Sequence, residues 1–120
     1  MDVEISARHG SAVGVLDHEW ERDPLIRALC LRYHGTRCHI CHTDLAQRYG
    51  HLGASSTQVH LIHPRAFVDV SRVPDPVEDL IPVCPSCHVM LHLGRTDPMP
   101  VEDLRRWMTR ARVLQHDGLR

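Results

Sequence analysis

Three observations predict a small α+β domain stapled by a metal ion. Two Cys-x-x-Cys pairs, Cys38/Cys41 and Cys84/Cys87, stand far apart in the chain. Two short β-branched stretches, "TQVHLIHP" and "DLIPVC", are too brief for helices and carry prolines. Segments with helical spacing flank them on both sides. The chain has 120 residues but only two Trp, two Tyr and one Phe. Its core is therefore thin, and a structural metal is a common remedy at this size.

Taken in order, residues 1–22 are polar without sustained periodicity and read as a loosely attached N-terminal arm. The domain proper is expected over 23–120. Asp23-Pro24 reads as an N-cap followed by proline at the first helical position. Leu25, Ile26, Leu29 and Tyr33 share one helical face, and Gly35 ends the helix. Cys30, inside it, reads as a buried apolar residue. "CHICHTDL" forms a tight turn, a short amphipathic piece covers Asp44 to Tyr49, and "GHLGASS" reads as a loop. "TQVHLIHP" is a strand stopped by Pro64, and Val68 to Glu78 is a loop punctuated by Pro74 and Pro76. "DLIPVC" is a second short strand and "SCHVMLHL" a helix ended by Gly94. A last helix starts near Pro100, with Val101, Leu104, Met108 and Ala111 at helical spacing. Its acids come first and its arginines later, the order that complements a helix dipole.

The formal net charge is −1, so no global basic signature announces nucleic acid. Every cationic side chain other than histidine is arginine, the better fork for phosphate oxygens. No basic segment followed by an apolar run opens the chain, and no stretch is long enough to span a membrane. A cytoplasmic, reducing setting is the expectation, where paired cysteines bind metal more often than they form disulfides.

Each Cys-x-x-Cys loop presents two thiolates at the spacing a tetrahedral ion requires. Together Cys38, Cys41, Cys84 and Cys87 predict a closed, structural Zn²⁺ site with no position for a substrate. The eleven histidines are numerous for this length. His88 and His92 lie four apart on a predicted helix, so their imidazoles can share a cation. His60, on a predicted strand, offers a third ligand. Three neutral imidazoles leave positions open, which is a catalytic geometry.

The order Cys-x-x-Cys, Val-His-x-x-x-Pro, Asp-Leu-Ile-Pro-Val-Cys-x-x-Cys-His-x-x-x-His resembles the HNH endonucleases, over roughly residues 25–115. The resemblance implies a ββα-metal (His-Me finger) core stapled by the four-cysteine zinc site and flanked by N- and C-terminal helices. It implies a nuclease that hydrolyses DNA to a 5′-phosphate and a 3′-hydroxyl, in a setting such as restriction or phage defence. His60, His88 and His92 match the ligands of the catalytic divalent ion, which could be Mg²⁺, Mn²⁺, Ni²⁺ or Zn²⁺. The family's general-base histidine is matched by Leu61, which cannot accept a proton. General-base catalysis typically contributes ~10²–10⁴-fold, so this departure implies an impaired or inactive enzyme. His63, two residues on, is the candidate substitute. Asp79 stands where the family has an asparagine that orients the hairpin loop. Arg65 is a candidate for the scissile phosphate. Arg95, Arg105, Arg106, Arg110 and Arg112 are candidates for the DNA backbone.

Two further readings compete with the nuclease. One is a non-catalytic, zinc-stabilised DNA-binding module. The other is a plain zinc-stapled interaction domain with incidental histidines.

Overall fold

The structure, a computed structural model, describes residues 19–68 and 72–116. Helix α1 spans Pro24–His34, α2 Leu45–Tyr49 and α3 His51–Ser56. Strand β1 (Gln58–Leu61) leads into a 3₁₀ turn at Pro64–Phe67, and β2 (Leu80–Val83) into α4 (Pro85–His92). Helix α5, Val101–His116, follows. The two strands pair antiparallel, with His60 opposite Ile81 and Leu61 opposite Leu80.

That register sorts the side chains. Alternate residues of a strand face opposite ways, so Val59, Leu61 and Leu80 point to one face of the ribbon. There they meet Ile26 and Cys30 of α1 and Phe67. The opposite face, carrying Val83 and Ile81, packs with Leu91 of α4, Leu104 of α5 and the buried cysteines. The ribbon is thus shared between two small cores. His60 faces away from the α1 core and comes to lie against α4.

Helix α1 begins as expected: the Asp23 carboxylate accepts from the backbone N–H of Leu25 and Ile26, at 3.0 Å each. Its buried face differs from the expected one. Leu25 and Tyr33 are two-thirds exposed and Leu29 is also exposed, while Ile26 and Cys30 are inside. A two-stranded ribbon covers only a narrow stripe of helix. The rotation is further fixed by Arg27, which donates to the carbonyls of Thr57, Ala54 and Ser55 at the end of α3.

"GHLGASS" is also not a loop. It forms α3, packed so closely on α2 that Gly53 lies against the Leu45 backbone. The expected arm is likewise corrected in part. Residues 19–22 form a helical turn, and Glu21 is buried; residues 1–18 of that arm lie outside the described residues. In α5, Val101, Leu104 and Met108 face the core, but Ala111 is exposed. No helix among the described residues is long and apolar enough to cross a membrane.

Candidate metal centres

The first knuckle is a turn built by the backbone. Cys38 N–H donates to the Thr43 carbonyl and His42 N–H to the Cys38 carbonyl, each at 2.9 Å. His42 adopts φ 70°, a left-handed conformation that non-glycine residues seldom take. The Cys38 thiol accepts from the N–H groups of Ile40 and Cys41, at 3.4 Å. The second knuckle is the start of α4: Cys84 is its N-cap, and its Sγ accepts from Cys87 N–H at 3.4 Å. His39 N–H donates to the Pro82 carbonyl at 2.9 Å and ties the knuckles together through β2.

The four sulfurs lie within 4.8 Å of one another. Tetrahedral zinc with Zn–S bonds of about 2.3 Å would place them about 3.8 Å apart. Cys41 and Cys84 are separated by 3.7 Å. Burial pushes the Cys84 and Cys87 thiols upward. At Cys41 burial also raises, but hydrogen bonds with Thr43, Cys38 and Cys84 outweigh it and bring the thiol down to about 7. Such a crowd of sulfurs can ionise together only around a cation. These four cysteines are placed to hold a structural metal ion.

A second cluster brings together three predicted histidines and one unforeseen carboxylate. Ligand atoms of Glu21, His60, His88 and His92 all lie within 4.8 Å of one another. His88 and His92 lie one turn apart on α4 and meet edge to face, with ring centroids 4.9 Å apart. His60 meets them from β1, with centroids at 5.6 and 5.4 Å. Glu21 reaches in from the helical turn before α1. Its Oε2 accepts from Leu61 N–H at 2.7 Å and lies 3.4 Å from His60 Nδ1, while Oε1 lies 2.9 Å from His88 Nε2.

The chemistry of these atoms tests whether a cation fits. His88 Nδ1 donates to Gln58 Oε1 at 2.5 Å. His88 Nε2 is then the ring nitrogen that faces the Glu21 carboxylate. The meeting point is buried: His60 is 1% exposed and the Glu21 side chain 4%. His60 Nδ1 and His88 Nε2 are both buried and both face this carboxylate. These four donors could hold a cation between them, and a partner that engages an imidazole by its other nitrogen is the usual support for a metal ligand.

The Glu21–His88 edge opens to a cavity of about 590 Å³, also lined by Arg22, Arg27, Thr57 and Gln58. Neither arginine was singled out by the sequence reading. Glu21 carried no signal either, since nothing in its local spacing points to a strand forty residues away.

The other predicted residues fall elsewhere. Leu61 is fully buried in the α1 core rather than in the histidine cluster. His63 is exposed beyond the end of β1, so strand alternation no longer fixes its direction. It lines a separate cavity of about 540 Å³ with His39, Arg65 and Arg105. Asp79 accepts from Asp75 N–H at 2.7 Å, and its backbone carbonyl accepts from Ile62 N–H at 3.0 Å, in the turn before β2. Arg65 is paired with Asp97 at 2.8 Å. Arg105 is turned to Glu102 and the His39 carbonyl, bracing the first knuckle. Arg95, Arg106 and Arg110 line a cleft of about 330 Å³ with the exposed Trp107, and Arg106 also contacts Asp103. Arg112 is exposed.

Compared with protein-family models, characterised proteins and solved structures, the chain matches none.

Proposed function

We propose that this chain is an HNH-type, ββα-metal endonuclease domain that binds DNA and hydrolyses its phosphodiester bonds with a divalent ion. One observation carries the reading: β1 and α4, anchored by the cysteine knuckles, bring His60, His88 and His92 to one point beside a cavity. In this reading Zn²⁺ occupies the four-cysteine site, and the histidines hold the second ion. Bound there, a divalent ion supplies charge stabilisation for the attacked phosphate and the leaving 3′ oxygen. Gln58 engages His88 Nδ1 and leaves Nε2 as the nitrogen for a ligand. Arg22 lines the cavity through which a phosphate would approach, and Arg95, Arg106 and Arg110 form a second cationic strip on which a backbone can lie.

A second reading, a DNA-binding module that no longer cleaves, is favoured by Leu61. Its side chain is apolar, and it is buried in the α1 core. Incubating supercoiled plasmid with the chain and with His88→Ala, in the presence of Mg²⁺, Mn²⁺, Ni²⁺ or Zn²⁺, separates the two. Nicking that His88→Ala abolishes is the outcome expected of the nuclease. Plasmid retention on a gel without nicking would transfer the reading to the binding module. Neither nicking nor retention would remove both.

A further inference from the structure

We propose that Glu21 is the fourth protein ligand of the second metal site, giving a three-histidine, one-carboxylate set that selects a borderline transition ion over Mg²⁺. The inference rests on the metal site of the proposed nuclease but concerns a residue from outside its hairpin and helix.

Three features place Glu21 there. Its carboxylate is buried, and both oxygens are turned to the cluster: Oε1 stands 2.9 Å from His88 Nε2 and Oε2 3.4 Å from His60 Nδ1. The carboxylate is also held in place, because Oε2 takes the Leu61 N–H at 2.7 Å. That bond anchors the 19–22 turn to the residue next to His60, so the ligand from the helical turn and the ligand from the strand move as one piece. Finally, Gln58 Oε1 engages His88 Nδ1 at 2.5 Å, so Nε2 is the ring nitrogen that faces Glu21 across the cluster.

The donor set then speaks to the ion. Imidazole nitrogens suit Zn²⁺, Co²⁺, Ni²⁺ and Fe²⁺, whereas Mg²⁺ prefers oxygen ligands and retains its waters. One carboxylate among three imidazoles leaves the site on the nitrogen side of that divide. The carboxylate adds the single negative charge that the three neutral rings lack.

The test is a cobalt titration of the full chain, loaded with one equivalent of zinc in the four-cysteine site and followed by visible absorption. Wild type is expected to bind one Co²⁺ with visible bands weaker than those of a closed four-coordinate site, because four protein ligands and one position kept for water or phosphate make five, and excess Mg²⁺ should leave the spectrum unchanged. Glu21→Gln keeps an oxygen to accept the Leu61 N–H, so the hairpin tie survives; unchanged zinc content and far-UV circular dichroism read that directly. This variant should bind Co²⁺ at least about 10-fold more weakly, the lower end of what losing even a supporting group costs. Its bands should shift and change in intensity. Equal affinity and an identical spectrum in Glu21→Gln would overturn the role of Glu21 while leaving the histidine site and the nuclease reading intact. Displacement of Co²⁺ by Mg²⁺ would overturn the claimed selectivity. If wild type took up no Co²⁺ beyond the zinc, the second site itself would fall, and the nuclease reading with it.

Discussion

At the scale of single residues, burial decides chemistry that residue type alone leaves open. Leu61 stands where the HNH resemblance asks for a base, and replacing it by histidine looks like a repair. The structure argues the opposite, because the side chain has no exposed surface and touches the apolar group of Ile26, Cys30, Phe67 and Leu80. An imidazole there has no polar partner in that group, so Leu61→His is expected to cost about 2–4 kcal/mol and to give no gain in plasmid nicking. Urea midpoints and the nicking assay check the two halves. Cys30 makes a related point about pH. Burial, partly offset by Arg27, raises its thiol from the ordinary 9.0 to about 11. The unfolded chain loses that proton near pH 9, whereas the folded chain keeps it to about pH 11. Unfolding therefore releases a proton within this window, and stability falls as pH rises through it, by about 2–3 kcal/mol in all. Below pH 9 the thiol contributes no slope. Denaturation of wild type and Cys30→Ala across pH 8 to 11 should show a steeper loss in wild type; parallel curves would refute the assignment.

At the scale of elements, close approach outweighs local propensity. Gly53 lies in α3, where an alanine would ordinarily gain about 1 kcal/mol over glycine. Here an added Cβ would sit 1.7 Å from the Leu45 carbonyl oxygen and 2.2 Å from its carbon, both backbone atoms. Gly53→Ala must therefore push α2 from α3, and a net loss of about 1–3 kcal/mol is expected, read as a lower thermal midpoint. The same contact explains why "GHLGASS" reads as a loop in the sequence: its glycines serve packing and a left-handed turn at Gly50, not irregularity. Other elements were legible because their signals are local. Asp23-Pro24 marks the start of α1, and the Cys-x-x-Cys spacing marks both knuckles. His60, His88 and His92 were legible as a trio from helical spacing and from the resemblance. The inward face of α1 was not, since Leu25 and Tyr33 are as apolar as Ile26, and only the narrow ribbon and the Arg27 anchor choose between them. Glu21 was hidden for the same reason: its partners are a strand amide and two imidazoles distant in sequence.

At the scale of the whole molecule, the two ligand clusters are unequal partners. Cys38, Cys84 and Cys87 are members of the core that also holds Ile40, Val83, Leu91 and Leu104. Cys84 caps the helix that carries His88 and His92. A structural zinc in such a setting contributes on the order of 10–16 kcal/mol, as much as or more than the ~5–15 kcal/mol that holds a typical domain together. Losing it should release β2, α4 and α5 together. Cys84→Ser is accordingly expected to lower far-UV helicity and to abolish ion binding at the histidine cluster, although it touches none of that cluster's ligands. The reverse dependence is not expected. His88 is only partly buried, with 14% of its side chain exposed, and its removal leaves both cores in place. His88→Ala should therefore keep its zinc and its circular dichroism while losing the second ion. Zinc and cobalt content measured on the two variants side by side would test this asymmetry. Equal loss of both ions in both variants would mean that the histidine cluster, too, is part of what holds the domain together.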